Sequence, residues 1–290
     1  MSDVTDAIVV GVDGSEEALD AVRWAALVAA RRNLRLHLAS GFDASLGLYG
    51  DGVPISPDYF QTAEAVAQDE LASAARLAEE TAAGVRIEAE RAHLAPVPLL
   101  LEHSRSARMI VLGASGRGGF EGMLVGSTAV SLAAHGSCPV VVVRPDREGP
   151  VVAGVDGSPN SVAALETAFD EAAWRRVPLV AVHSWSDAGY MAQQPIESAL
   201  LAGEPDEDEQ ARVLAESLAG RQEKYPDVRV ERVVVKARPR HALLDWSERA
   251  SLVVVGSRGR GGFRGLLLGS TSQALIQHAK CPVMVVHPQG

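Results

Sequence analysis

Two stretches of the 290-residue chain carry glycines at a spacing that suits phosphate chemistry. Gly113-x2-Gly116-x9-Gly126-Ser127 recurs as Gly256-x2-Gly259-x9-Gly269-Ser270, each after a run of Val, Leu and Ile. Glycine lets successive backbone N–H groups turn inward and approach an oxyanion closely. The closing Gly-Ser pair opens a helical pattern, so the positive end of a helix faces the same point. Arg117, Arg258 and Arg260 add side-chain charge. One such stretch alone reads as a plain surface turn. Two with identical internal spacing, each between a strand and a helix, predict phosphate binding.

Other phosphate motifs fail. There is no Gly-x4-Gly-Lys-Ser/Thr, and residues 1–146 contain no Lys, which excludes a P-loop there. The first apolar run ends in Gly-Val12-Asp13-Gly-Ser and its repeat in Gly-Val155-Asp156-Gly-Ser. A carboxylate at that tip repels pyrophosphate, so the usual dinucleotide arrangement is also unsuitable. Asp13 and Asp156 make better acceptors for a ribose hydroxyl or a base N–H, with the phosphates across the crevice on the later loop. The plainer alternative is that each Asp caps a turn or the next helix.

These residues must be positioned by a repeated unit. Residues 8–15, 109–120, 126–128 and 135–140 all recur 143 positions later, too long a period for a solenoid. The chain is a domain duplication, 1–146 and 147–290, joined at a charged Pro/Gly-bearing stretch. In the first copy strands are expected at 7–12, 34–40, 85–92, 109–113 and 140–144, with helices at 18–30, 63–83, 96–104 and 127–134. In the second, strands are expected at 151–155, 180–183, 230–235, 252–256 and 283–287. Its helices are expected from Ser158-Pro159 and over 211–225, 243–249 and 271–278. The class is α/β: two tandem open parallel five-stranded sheets with helices on both faces. Such sheets bind ligands beyond the carboxyl ends of their strands, where strand order reverses, here between the first and fourth strands of each copy.

The combination of Val-Asp-Gly-Ser after a strand, Gly-x2-Gly-x9-Gly-Ser and His-x2-Cys-Pro-Val resembles the universal stress proteins of the tandem, ATP-binding type. The resemblance covers nearly the whole chain. It implies a Rossmann-like, adenine nucleotide alpha hydrolase-like fold that binds ATP, with Mg2+ available to bridge the phosphates. By resemblance, Asp13 and Asp156 contact the adenosine end, with the preceding Val12 and Val155 as further binding candidates, and Ala39 and Val182 line the adenine pocket. Leu112, Gly113, Val255 and Gly256 flank base and ribose. Gly116, Arg117, Gly126, Ser127 and Thr128 hold phosphates in the first copy; Gly259, Arg260, Gly269, Ser270 and Thr271 do so in the second, where Arg258 adds side-chain charge. One departure is Arg108 and Ser251, where many relatives have Asp just before the fourth strand.

Composition bounds the rest. Hydrophobic residues make up 47% and aromatics 4%, so the core is aliphatic. Net charge is −10, which argues against nucleic acid and membrane surfaces as partners. No apolar stretch reaches membrane-spanning length and the N-terminus lacks a signal pattern, so a cytoplasmic protein is expected. Cys138 and Cys281 read as buried small hydrophobes. His135 and His278 read as helix-end residues, and His37 and His183 as core or pocket-edge residues. No metal-ligand spacing and no catalytic residue is identified. The apolar last strands predict edge burial, either between the copies or in a homodimer. The loops at 41–61 and 184–210 are candidate lids. Arg258, Arg260 and Arg264 in the second copy, against Arg117 and Glu121 in the first, predict tighter triphosphate binding in the second. The function expected is a nucleotide-dependent regulatory stress protein with an unidentified protein partner. The alternatives are a slow ATPase or nucleotidyl-transfer enzyme, or a nucleotide-free dimerisation scaffold.

Overall fold

Alternation of apolar runs with amphipathic stretches produces two compact units, Met1–Arg144 and Pro145–Gly290. The computed structural model describes residues 4–42, 57–117, 124–145, 147–185, 207–260 and 267–287. The first unit runs β1 (Ile8–Gly11), α1 (Glu16–Arg32), β2 (Arg35–Gly41), α2 (Pro57–Thr81), β3 (Arg86–Ala92), α3 (Pro96–His103), β4 (Met109–Gly113), α4 (Ser127–His135) and β5 (Val140–Val143). The second runs β6 (Val151–Val155), α5 (Pro159–Arg175), β7 (Leu179–Trp185), α6 (Glu207–Leu218), α7 (Arg221–Lys224), β8 (Val230–Lys236), α8 (Pro239–Ser247), β9 (Leu252–Gly256), α9 (Ser270–His278) and β10 (Val283–Val286).

Within the first unit the strand order is β3-β2-β1-β4-β5, and within the second β8-β7-β6-β9-β10. All these pairs are parallel, as expected of the fold class. In the first unit Ile8 is in register with Leu36 on one side and Met109 on the other. The chain therefore leaves β1 towards one side and returns at β4 on the other. Ile8, Val9 and Val10 are all buried, which requires cover on both faces. Helices α1 and α2 pack together, as do α3 and α4.

Local chemistry sets the helix boundaries. The Ser15 and Ser158 side chains accept from the N–H groups of Ala18 and Ser161, capping α1 and α5. Pro96, Pro159 and Pro239 stand in first helical turns, where their missing N–H costs nothing. Helix α1 ends at Asn33 in the left-handed region (φ 52°), and α5 at Arg176 (φ 57°). Two expectations are corrected. The single helix expected over 211–225 breaks into α6 and α7 at Gly220, whose φ of 74° ends a helix. The helix expected from 243 starts at Pro239. The core is Val, Leu, Ile and Ala, with Phe169 stacked on Tyr225 at 5.4 Å. Among the described residues no helix is long and apolar enough to cross a membrane.

Candidate functional site: the crevices at the strand ends

Strand order reverses between β1 and β4, so the segments after these strands diverge and leave a cleft. The Val12 N–H donates to the Ala39 carbonyl at 2.9 Å, fixing the tip of β1 against β2. Asp13 follows. Its Oδ1 accepts from the Ser15 N–H (3.1 Å) and hydroxyl (2.6 Å), and its Oδ2 accepts from the Arg117 N–H (3.1 Å). In the second unit Asp156 accepts from the Ser158 N–H (2.9 Å) and the Arg260 N–H (2.8 Å). Each carboxylate thus shapes its own turn and also ties the β1 or β6 tip to the glycine loop. Gly116 and Gly259 permit this, because a Cβ at either would overlap the carboxylate. Burial works to raise the pKa of Asp156. Hydrogen bonds from Ser158, Arg260 and Ser161 outweigh it and hold the carboxyl below its usual value.

The amides of Arg117 and Arg260 are therefore committed to aspartate. Unpartnered donors lie further along. Gly126 and Gly269 are the N-caps of α4 and α9, both extended and both without a side-chain cap, in contrast to Ser15 and Ser158. The Gly126 N–H donates to the Ala114 carbonyl (2.8 Å) and the Gly269 N–H to that of Ser257 (2.7 Å). The N–H groups of the first helical turn, from Ser127 and Ser270 onward, have no intrahelical acceptor. Ser127 and Ser270 are exposed, and Thr128 and Thr271 half-buried.

The glycines differ in what requires them. A Cβ at Gly113 would strike the Glu17 backbone, and one at Gly256 would strike Asn160, so both permit close packing of a strand on a helix start. Gly126 is different. Its φ of −71° suits any residue, and a Cβ there would come no nearer than 3.7 Å to any neighbour. At Gly269 the nearest neighbour, the Ser257 carbonyl oxygen, would lie at 3.3 Å. Around these loops Val12, Ala39 and Leu112, and Val155, Val182 and Val255, are buried at the strand ends.

The arginines are held differently. Arg117 forms an ion pair with Glu70 of α2. Burial raises the Glu70 pKa, Arg117 opposes this, and Asp13 adds to it. The Ser115 hydroxyl donates to Glu17 at 3.1 Å. In the second unit the positions equivalent to Glu17, Glu70 and Ser115 hold Asn160, Val213 and Arg258. The Arg260 guanidinium instead donates to the Gly157 carbonyl at 3.3 Å, near Val213. Sequence reading found the arginines but missed Glu17 and Glu70. Their offset of 143 from Asn160 and Val213 was the available signal. Arg264, Glu121 and most of the two candidate lid loops lie outside the described residues.

The remaining candidates divide. His183 is satisfied in the core, Nδ1 to the Val155 carbonyl (2.7 Å) and Nε2 to Gln210 (3.0 Å). His135 turns back to the Ser131 carbonyl of its own helix (3.0 Å). Cys138 and Cys281 are buried free thiols, and burial pushes the Cys138 thiol up to about 12. His37 is buried but not satisfied. It lies with Glu90 and His103 in a cluster that no sequence spacing revealed, since its members come from β2, β3 and α3.

Comparison with known proteins agrees with this architecture. The family model described as "Universal stress protein family" matches residues 5–144 and again 149–287. A universal stress protein of Mycobacterium tuberculosis is 42% identical over 292 residues, spanning 96% of each chain. Another from Mycolicibacterium smegmatis is 40% identical over 300 residues, spanning 97% of each. The crystal structure of a universal stress protein from Archaeoglobus fulgidus superposes with a TM-score of 0.71 over 98% of each chain at 19% identity, a likeness of fold. A duplicated βα unit with this strand order, matched twice by one family model, places the chain in the universal stress protein family.

Proposed function

We propose that each unit is an adenine-nucleotide site and that the chain is a nucleotide-dependent regulatory protein. The observation that carries this reading is Gly126. Neither its torsion angles nor its neighbours require glycine, yet it heads a helix with no side-chain cap. A residue kept bare at a helix start suits a ligand lying against the backbone there, and an anion suits the N–H groups and dipole. In this reading phosphates rest on Gly126, Ser127 and Thr128 and on Gly269, Ser270 and Thr271. The base lies against the apolar strand ends near Ala39 and Leu112, or Val182 and Val255. Asp13 and Asp156 accept from the ribose with the lone pairs their backbone bonds leave over. A divalent ion bridging the phosphates completes the ligand as Mg-ATP.

Binding fits better than turnover. The aspartates are each tied to backbone donors and Glu70 to Arg117. Occupancy would act by shifting the population of one conformation or complex over another. The test is extraction of small molecules from the purified chain, their identification by mass spectrometry, and calorimetric titration with ATP. Retained or rebound adenine nucleotide at up to two per chain is expected. Sites that arrive bare and refuse ATP would overturn the reading, and ADP accumulating over hours would convert it to a slow ATPase.

A further inference from the structure

Beneath α3, remote in sequence from the glycine loops, three potential ligand atoms converge. His37 of β2 and His103 of α3 are each about 1% exposed at the side chain, and Glu90 of β3 is 12% exposed. One glutamate oxygen, Oε2, lies 3.1 Å from His37 Nε2 and 3.3 Å from His103 Nε2. The two rings meet edge to face with centroids 5.3 Å apart. His103 Nε2 has no hydrogen-bond partner despite that short distance, and His37 Nδ1 has none either. Two buried imidazoles crowding one carboxylate oxygen, with ring nitrogens left over, are costly as a purely hydrogen-bonded arrangement.

A metal ion removes that cost. With metal–ligand distances of about 2.0–2.1 Å, neighbouring donors of a tetrahedral ion stand roughly 3.3–3.4 Å apart. Two of the three edges are already near this length. Two imidazoles and one carboxylate are the donor set of borderline divalent ions such as zinc. An outer partner stands ready. Glu88 Oε2 lies 3.7 Å from His37 Nδ1, and Arg35 holds that carboxylate at 3.0 Å. A carboxylate behind a ligating histidine is the usual means of fixing its ring.

The duplication supplies an internal control. The second unit puts Val180, Val233 and Trp246 at the positions of His37, Glu90 and His103. The same junction of two strands and a helix is apolar there, with Val180 fully buried. We infer that the first unit alone carries a divalent transition-metal site formed by His37, Glu90 and His103, a structural clip pinning α3 to β2 and β3 where the second unit uses apolar packing.

The test uses the full chain, stripped with chelator and dialysed against Zn2+. One tightly held Zn2+ per chain and a higher melting temperature are expected. Glu90→Gln, close in shape to the native residue, is expected to weaken zinc binding by at least about 100-fold. His37→Val with Glu90→Val and His103→Trp, copying the second unit, is expected to abolish it. Should those variants fail to fold, nitrogen NMR of the wild-type histidines still decides: one equivalent of Zn2+ should move the ring resonances of two of the eight histidines. Zinc uptake equal in wild type and Glu90→Gln, shifts confined to other histidines, or no uptake would overturn the assignment.

Discussion

At position 70 the first unit has a glutamate that captures the loop arginine. At the equivalent position the second has Val213, and its loop arginine reaches back over Gly157. Nearby, Glu17 holds Ser115, whereas Asn160 and Arg258 occupy the equivalent positions. Among the described residues the first crevice thus has three carboxylates, Asp13, Glu17 and Glu70, of which only Glu70 pairs with the Arg117 side chain. Among the described residues the second has one carboxylate, Asp156, with Arg258 and Arg260 on its loop. The backbone is shared: the aspartate bridge, the bare helix start and the strand order are the same in both. Duplication has preserved the backbone of the proposed sites and changed the charged groups around it. On this account the second crevice suits a triphosphate, and the first suits a less charged ligand or holds the same one more weakly.

The comparison is broken most directly at the helix starts. Gly126→Val places a side chain where the protein has room and a phosphate would not. It should reduce nucleotide binding in the first unit by at least about 100-fold, a loss of roughly 2.7 kcal/mol, while the fold survives. Gly269→Val should do the same in the second unit, with some added strain from the Ser257 carbonyl. Calorimetry on each variant reads the remaining site alone. If both variants bind two nucleotides as before, the helix starts are not the phosphate seats.

A smaller effect is expected at the bridging aspartates. Asp156→Asn removes a charged acceptor from the Ser158 and Arg260 N–H groups, costing about 2 kcal/mol at neutral pH. The Asp156 pKa is lowered in the folded state. Its stabilisation is therefore present above the unfolded-state value, about 3.9, and is lost as pH falls through the lower folded value. Urea unfolding should show the gap between wild type and variant narrowing on acidification, and a gap independent of pH would count against the charged bridge. Asp13→Asn should cost less, because Asp13 also repels the half-buried Glu70.

Much of this was legible beforehand. Buried strands such as Val140–Val143 announce themselves as unbroken apolar runs, and Ser-Pro or Asp-Gly-Ser mark the turns after them. That the first and fourth strands flank the crevice followed from alternation and from the reversal such sheets require. Side-chain partners were not legible. Glu70 lies 47 residues from Arg117 on a helix whose face depends on tertiary packing. The His37, Glu90 and His103 cluster needs β2, β3 and α3 in register before any spacing has meaning. The aspartate bridge was half-seen: Asp13 was expected to serve either a ligand or a turn. Only the fold shows that its second oxygen occupies the Arg117 amide and so moves the free donors to the helix start.

Glu70→Val is the substitution that turns the first crevice into an image of the second. It removes one half-buried carboxylate whose ionisation desolvation disfavours, and it frees the Arg117 side chain from its partner. At roughly 6 Å and an effective dielectric of about 40, one charge is worth on the order of 1.4 kcal/mol, so triphosphate should bind the first unit about tenfold more tightly. The gain should shrink in high salt and be smaller for adenosine monophosphate, which presents less charge. The reciprocal Val213→Glu should weaken the second unit by a similar factor by giving Arg260 a carboxylate partner. Fluorescence or calorimetric titration of each variant, in a background where the other unit carries its glycine substitution, isolates the effect. Equal affinities for wild type and both variants would mean that the carboxylate at this position does not tune the site, and that the crevices differ through some other group.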